Sequence, residues 1–103
     1  MNAAERLWRA LAEGDWSAAR AQFHASAMIE RFSAGARTLL ALDDYLAEHR
    51  ERAARASEAI QVLRALNAGG TTIVIEARVG DARCAGIYDL HDGRIAGAVE
   101  YWG

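Results

Sequence analysis

The chain has 103 residues, 52% of them hydrophobic and 25% charged, a balance that suits one compact domain with one core. Its formal charge of -2, with twelve arginines and no lysine, offers no basic footprint for nucleic acid. The single cysteine, Cys84, excludes an intrachain disulfide, and no stretch reads as a signal peptide or a bilayer-spanning run, so the expectation is a cytoplasmic protein without cofactor or membrane association.

Asn2 followed three residues later by Glu5 predicts a capping box, because each side chain can bond the other residue's backbone N–H. Leu7, Trp8, Leu11 and Ala12 then share a helical face, and Gly14 ends the helix. Asp15 is placed to cap a second, short helix through WSAARAQF, in which Trp16, Ala19 and Phe23 fall at helical spacing. A short strand, AMIERF, follows and stops near Gly35. LDDYLAEHRERAARA reads as the longest helix, with Asp43 and Asp44 in its first turn and an apolar stripe of Leu42, Tyr45 or Leu46, His49 and Ala53.

The period changes from 3.6 to 2 near Ser57. Ile60, Val62 and Leu66 alternate with more polar neighbours, Gly69-Gly70 turns the chain, and TTIVIEARV continues with β-branched residues. Gly80-Asp81 and Asp92-Gly93 are hairpin signals, since each supplies residues that tolerate positive φ in a primed turn. Helices followed by an antiparallel meander predict an α+β fold, helices packed on a strongly curved antiparallel sheet.

The order AERLWRALAEGDWSAARAQF, a short strand, LLALDDYLAEHRERA, and a meander ending YDLHDGRIAGAVEYWG resembles the nuclear transport factor 2-like superfamily, which includes ketosteroid isomerases and SnoaL-like polyketide cyclases. The resemblance spans the whole chain as a single SnoaL-like domain, residues 1–103, and its most specific part is the ending. It implies a cystatin-like cone in which the sheet wraps around an apolar pocket, with Trp8, Trp16, Phe23, Phe32, Tyr45, Tyr88 and Trp102 as candidate walls for a small apolar molecule. A small domain needs large rings to fill its core, and that is the commoner role for most of them. Two departures are the replacement of the family's aromatic-rich segment by FSAGARTLL and an ending one residue after Trp102, which predicts a shallow or open pocket.

By the same resemblance Glu100 occupies the acidic position of the final strand, where desolvation raises a carboxyl pKa and suits it to general acid–base work. Strict alternation argues otherwise. A two-residue turn at Asp92-Gly93 sets Glu100 opposite Ala85, on the outer face, whereas a bulge near Gly97 returns it to the inside. His49 on the long helix reads as a base at the pocket mouth or as a hydrogen-bonded core residue. Glu30, on one face with Met28 and Phe32, reads as an inward acid or as a partner for an arginine. His24, His49, His91 and Cys84 have no metal-ligand spacing. EHRERAAR reads as a solvated helix face.

Two functional classes follow: an isomerase, cyclase or hydrolase moving a proton on an apolar substrate, and a non-catalytic ligand-binding or dimerisation domain. On strict alternation Ala85, Ile87, Ala96 and Ala98 form an apolar outer face, which predicts a homodimer.

Overall fold

The computed structural model describes residues 1–56 and 58–103, so the point at which the period changes, Ser57, lies outside the described residues. Helix α1 spans Ala3–Glu13 and opens with the expected capping box, Asn2 accepting from the Glu5 N–H at 3.0 Å while the Glu5 carboxylate accepts from the Asn2 N–H at 3.2 Å. Gly14 closes it in the left-handed region. Helix α2 is shorter than its periodicity suggests, Trp16–Ala21, capped by Asp15. Phe23 falls beyond it and begins strand β1, Phe23–Ser33.

The segment FSAGARTLL holds a hairpin that carries no strong sequence signal. Ala34 and Gly35 both take positive φ, 51° and 78°, and lead into strand β2, Ala36–Ala41. Alanine is rare in that region, which is why the turn is not legible beforehand. Helix α3, Leu42–Arg55, buries Leu42, Tyr45, Leu46 and His49 and leaves Ala53 exposed. Strands β3 (Ile60–Asn67), β4 (Thr72–Val79), β5 (Ala82–His91) and β6 (Arg94–Trp102) form the meander.

The sheet runs β2-β1-β6-β5-β4-β3. Four of its ladders are antiparallel, three of them at the hairpin signals and one at the β1–β2 turn, and the fifth, β1 on β6, is parallel, joining the first strand to the last in a mixed sheet. The three helices cover its inner face, and Leu7, Trp8, Ile29, Ile73, Ile75, Tyr88 and Ile95 fill the space between. Among the described residues no helix is long and apolar enough to cross a membrane.

One irregularity decides which way the last strand faces. Leu90 pairs with Ile95 but Asp89 pairs with Gly97, so Ala96 is an extra residue in β6. Beyond this bulge the parity reverses, which is what an inserted residue does to a strand of period 2. Glu100 therefore pairs with Gly86, not Ala85, and turns inward together with Ile95, Ala98 and Trp102. The same shift corrects the expected outer face: Ala98 is buried, and Val99 and Tyr101 take the outward positions beside Ile87 and Ala85.

Candidate active site: a buried carboxylate held by two phenols and an indole

Glu100 is wholly buried. Tyr45, from α3, donates to its Oε2 at 2.8 Å, and Tyr88, from β5, donates to the same oxygen at 2.6 Å. The indole N–H of Trp102 donates to Oε1 at 3.1 Å. Behind this first circle, the Trp8 indole N–H donates to the Tyr88 hydroxyl at 2.8 Å, so α1, α3, β5 and β6 all converge on one carboxylate. Among the described residues no buried side-chain nitrogen or oxygen lacks a partner.

The two oxygens differ. A carboxylate oxygen has about two acceptor sites, so Oε2 is saturated by the two phenols while Oε1 retains capacity for another donor. Burial raises the Glu100 pKa, opposed by the bonds from Tyr88, Tyr45 and Trp102 and by the nearby Arg31 charge; burial outweighs them. Burial and the neighbouring Glu100 charge likewise push both tyrosines well above their ordinary range, so they stay protonated and act as donors.

Glycine 86 makes this geometry possible. A Cβ there would lie 2.6 Å from Tyr88 Cζ and closer still to the hydroxyl, so only a residue without a side chain lets the phenol fold back over its own strand to Glu100.

His49 sits beside the cluster with its ring centroid 4.8 Å from that of Tyr45 and 6.2 Å from that of Trp8. Burial, assisted by the Arg52 charge, lowers its pKa to about 4, so it is neutral near pH 7. A cavity of about 20 Å³, room for one water molecule, touches Tyr45, His49, Glu100, Arg31, Arg52 and Trp102. Outside it an open depression of about 570 Å³ is lined by Arg31, Thr38, Glu48, Arg52 and Trp102 among others. Arg31 forms a bidentate ion pair with Glu48 across this mouth. Arg52 lies over the Trp102 ring at 4.8 Å from its centroid.

The structure thus brings together Glu100, His49, Tyr45, Tyr88, Trp8 and Trp102. Trp16 stands apart, half-buried on α2 with Arg50 over its ring, and Phe23 packs in the core with its ring centroid 5.7 Å from that of Tyr45. Two expected site residues are not in the interior. Glu30 lies on the outer face of β1, ion-paired with Arg37 across the β1–β2 hairpin, and Phe32 lies on that face too, stacked on Tyr101 at 5.2 Å. The cause is the parity of β1: Ile29 and Arg31 point inward, so their neighbours point out. Arg31 and Arg52, conversely, were hidden among twelve arginines and have no motif that marks them.

Among the described residues no cluster of histidine, cysteine and acidic side chains suits a metal ion. Cys84 is buried, and burial raises its thiol pKa far from the range of a nucleophile.

No protein-family model matches the chain, and no curated protein matches its sequence. Solved structures do. A candidate ketosteroid isomerase from Kribbella flavida superposes with a TM-score of 0.75 at 21% identity, over 98% of this chain and 75% of that one. The chain has the nuclear transport factor 2-like fold. A candidate polyketide cyclase from Sinorhizobium meliloti superposes over 95% of this chain and 92% of its own, with a TM-score of 0.74 at 21% identity. A SnoaL-like protein of unknown function from Burkholderia thailandensis gives 0.77 at 14% identity, over 96% and 89%. At these identities the likeness is one of fold, and what the cone does rests on its own side chains.

Proposed function

We propose that this SnoaL-like domain, residues 1–103, binds a small, largely apolar molecule at the mouth of its cone and moves a proton on it with Glu100, as an isomerase, cyclase or hydrolase does. The observation that carries this reading is a fully buried carboxyl of raised pKa whose Oε1 keeps acceptor capacity beside a small cavity leading to an open mouth. Oε1 takes the proton. Tyr45 and Tyr88 remain on Oε2, fixing the carboxylate plane and stabilising the charged form when it appears. Trp102 must swing off Oε1 for a substrate to reach it, and being half-buried at the rim it is the only one of the three donors with room to do so. His49, neutral and adjacent, serves as a donor to a substrate oxygen.

A probe that needs no knowledge of the natural substrate is deuterium uptake at a carbon acid. In heavy water, 2-tetralone incubated with the protein should gain deuterium at the carbon beside its carbonyl faster than with buffer alone, and Glu100→Gln should bring the rate back to the buffer level. Equal rates with and without the protein remove the reading.

A second reading, a non-catalytic ligand-binding domain, is favoured by the completeness of the polar cluster and by a cavity no larger than one water. In that case Glu100 is a polar pin holding four elements together, and 2-tetralone exchanges only at the buffer rate.

We also propose a cytoplasmic homodimer formed through the outer face of the sheet. Met28, Leu39 and Tyr101 are 41%, 54% and 48% exposed there, joined by Phe32, Val99 and Ile87, an apolar surface that a monomer leaves wet.

A further inference from the structure

Arg52 stands at the junction of the inner cavity and the open mouth, and its charge is poorly matched. Its nearest carboxylate is Glu58, with 4.0 Å between Nε and Oε1, longer than a hydrogen bond. Its principal contact is instead the face of Trp102, which attracts a cation but accepts none of the five guanidinium N–H donors. The two other charges at the mouth, Arg31 and Glu48, satisfy each other in a bidentate pair. His49 contributes no charge. Among the described residues, Arg52 is therefore the one cation at the mouth with no carboxylate at hydrogen-bond distance, on a side chain 38% exposed and facing the depression next to an indole.

We propose that the ligand bound here is a monocarboxylate with an apolar, preferably aromatic, body, its carboxylate held by Arg52. The inference rests on the small-molecule reading of the mouth and names the chemical class that fits it. A carboxylate matches the guanidinium fork. A dianion such as phosphate fits less well, because Glu48 stands on the same rim. The body lies along the wall formed by Trp102, Ala34 and Ala82, within a volume typical of small-molecule sites. Holding the acid group at Arg52 keeps it at the rim and leaves the rest of the molecule to extend toward Oε1 of Glu100 when Trp102 moves.

The experiment is a titration with benzoate, followed by the indole N–H resonances in two-dimensional NMR, with benzamide as its uncharged counterpart and acetate as the acid without a body. Benzoate should shift the Trp102 resonance saturably, and benzamide and acetate should each bind roughly tenfold more weakly or worse, the loss expected when a charged hydrogen bond or the apolar contact goes. Arg52→Gln should weaken benzoate by a similar factor, whereas Arg50→Gln, over Trp16, should leave it unchanged. Benzoate that fails to bind, binds no better than benzamide or acetate, or binds Arg52→Gln as well as the parent overturns the proposal. Failure of deuterium exchange with benzoate binding intact removes only the acid–base role, and loss of the Arg52 dependence with exchange intact removes only the carboxylate.

Discussion

Gly86 lies directly across the β5–β6 ladder from Glu100, and the space its missing side chain leaves is taken by the phenol of Tyr88 on its way to that carboxylate. Gly86→Ala should therefore act at a distance from its own contacts. The added methyl must displace Tyr88, breaking its bond to Glu100 and the bond it accepts from Trp8, at a cost of about 2–4 kcal/mol from overpacking and lost hydrogen bonding. Chemical denaturation gives the cost, and a change of under about 0.5 kcal/mol, typical of a neutral surface site, would show that Tyr88 is not so confined.

His49 makes stability fall in acid. Its folded pKa of about 4 lies below the ordinary 6.5, so the unfolded chain takes up the proton first as pH drops. The protein is then unaffected by this group above pH 6.5 and loses up to roughly 3 kcal/mol between there and pH 4. His49→Gln should flatten that slope in melting curves recorded from pH 7.5 to 4.5. An unchanged slope would assign the acid sensitivity to other groups.

Glu100 works in the opposite direction. Its folded pKa is raised, so the folded chain holds the proton more tightly than the unfolded one, and stability declines as pH rises from the ordinary carboxylate range through the folded value. Glu100→Gln carries no titrating proton and should be hurt less at pH 8 than at pH 5 relative to the parent. The reverse ordering would mean that the three donors, not burial, dominate the carboxyl.

On the outer face, Tyr101 stacks on Phe32, and Met28 is exposed farther along β1. Tyr101→Glu should leave the fold intact and shift the light-scattering mass of a dimer to that of a monomer, because carrying a new charge into the contact costs its hydration. A parent protein that is monomeric at micromolar concentration contradicts the proposed interface.

The architecture was legible because local signals agreed with one another: the Asn2–Glu5 box, the Asp92-Gly93 turn, the stripe through Leu42, Tyr45 and His49, and the ending that resembles the cone family. The hairpin at Ala34-Gly35 was not, since alanine does not advertise a positive φ. Nor was the orientation of β6. A bulge at Ala96 is set by how β6 pairs with β5, a tertiary fact, and Gly97 indicates only where such a bulge is tolerated. The side of β1 that Glu30 and Phe32 occupy was open for a related reason: both faces of β1 carry apolar residues, so alternation does not say which is inside, and of the two readings of Glu30 the pairing with an arginine is the one the structure has. The helix run containing Arg52 has the charge pattern of a solvated face, yet Arg52 itself folds back over Trp102.

The acid–base role of Glu100 requires that burial raise its pKa inside the cone, and the most direct measurement is a pH titration of its side-chain carboxyl carbon by NMR, assigned by loss of the resonance in Glu100→Gln. The expected midpoint lies above the ordinary 4.5 of a glutamate and moves further upward when Arg31→Gln removes the nearby positive charge. A midpoint at or below 4.5 would mean that Tyr45, Tyr88 and Trp102 hold the carboxylate permanently ionised, which makes it a structural pin and contradicts the acid–base role.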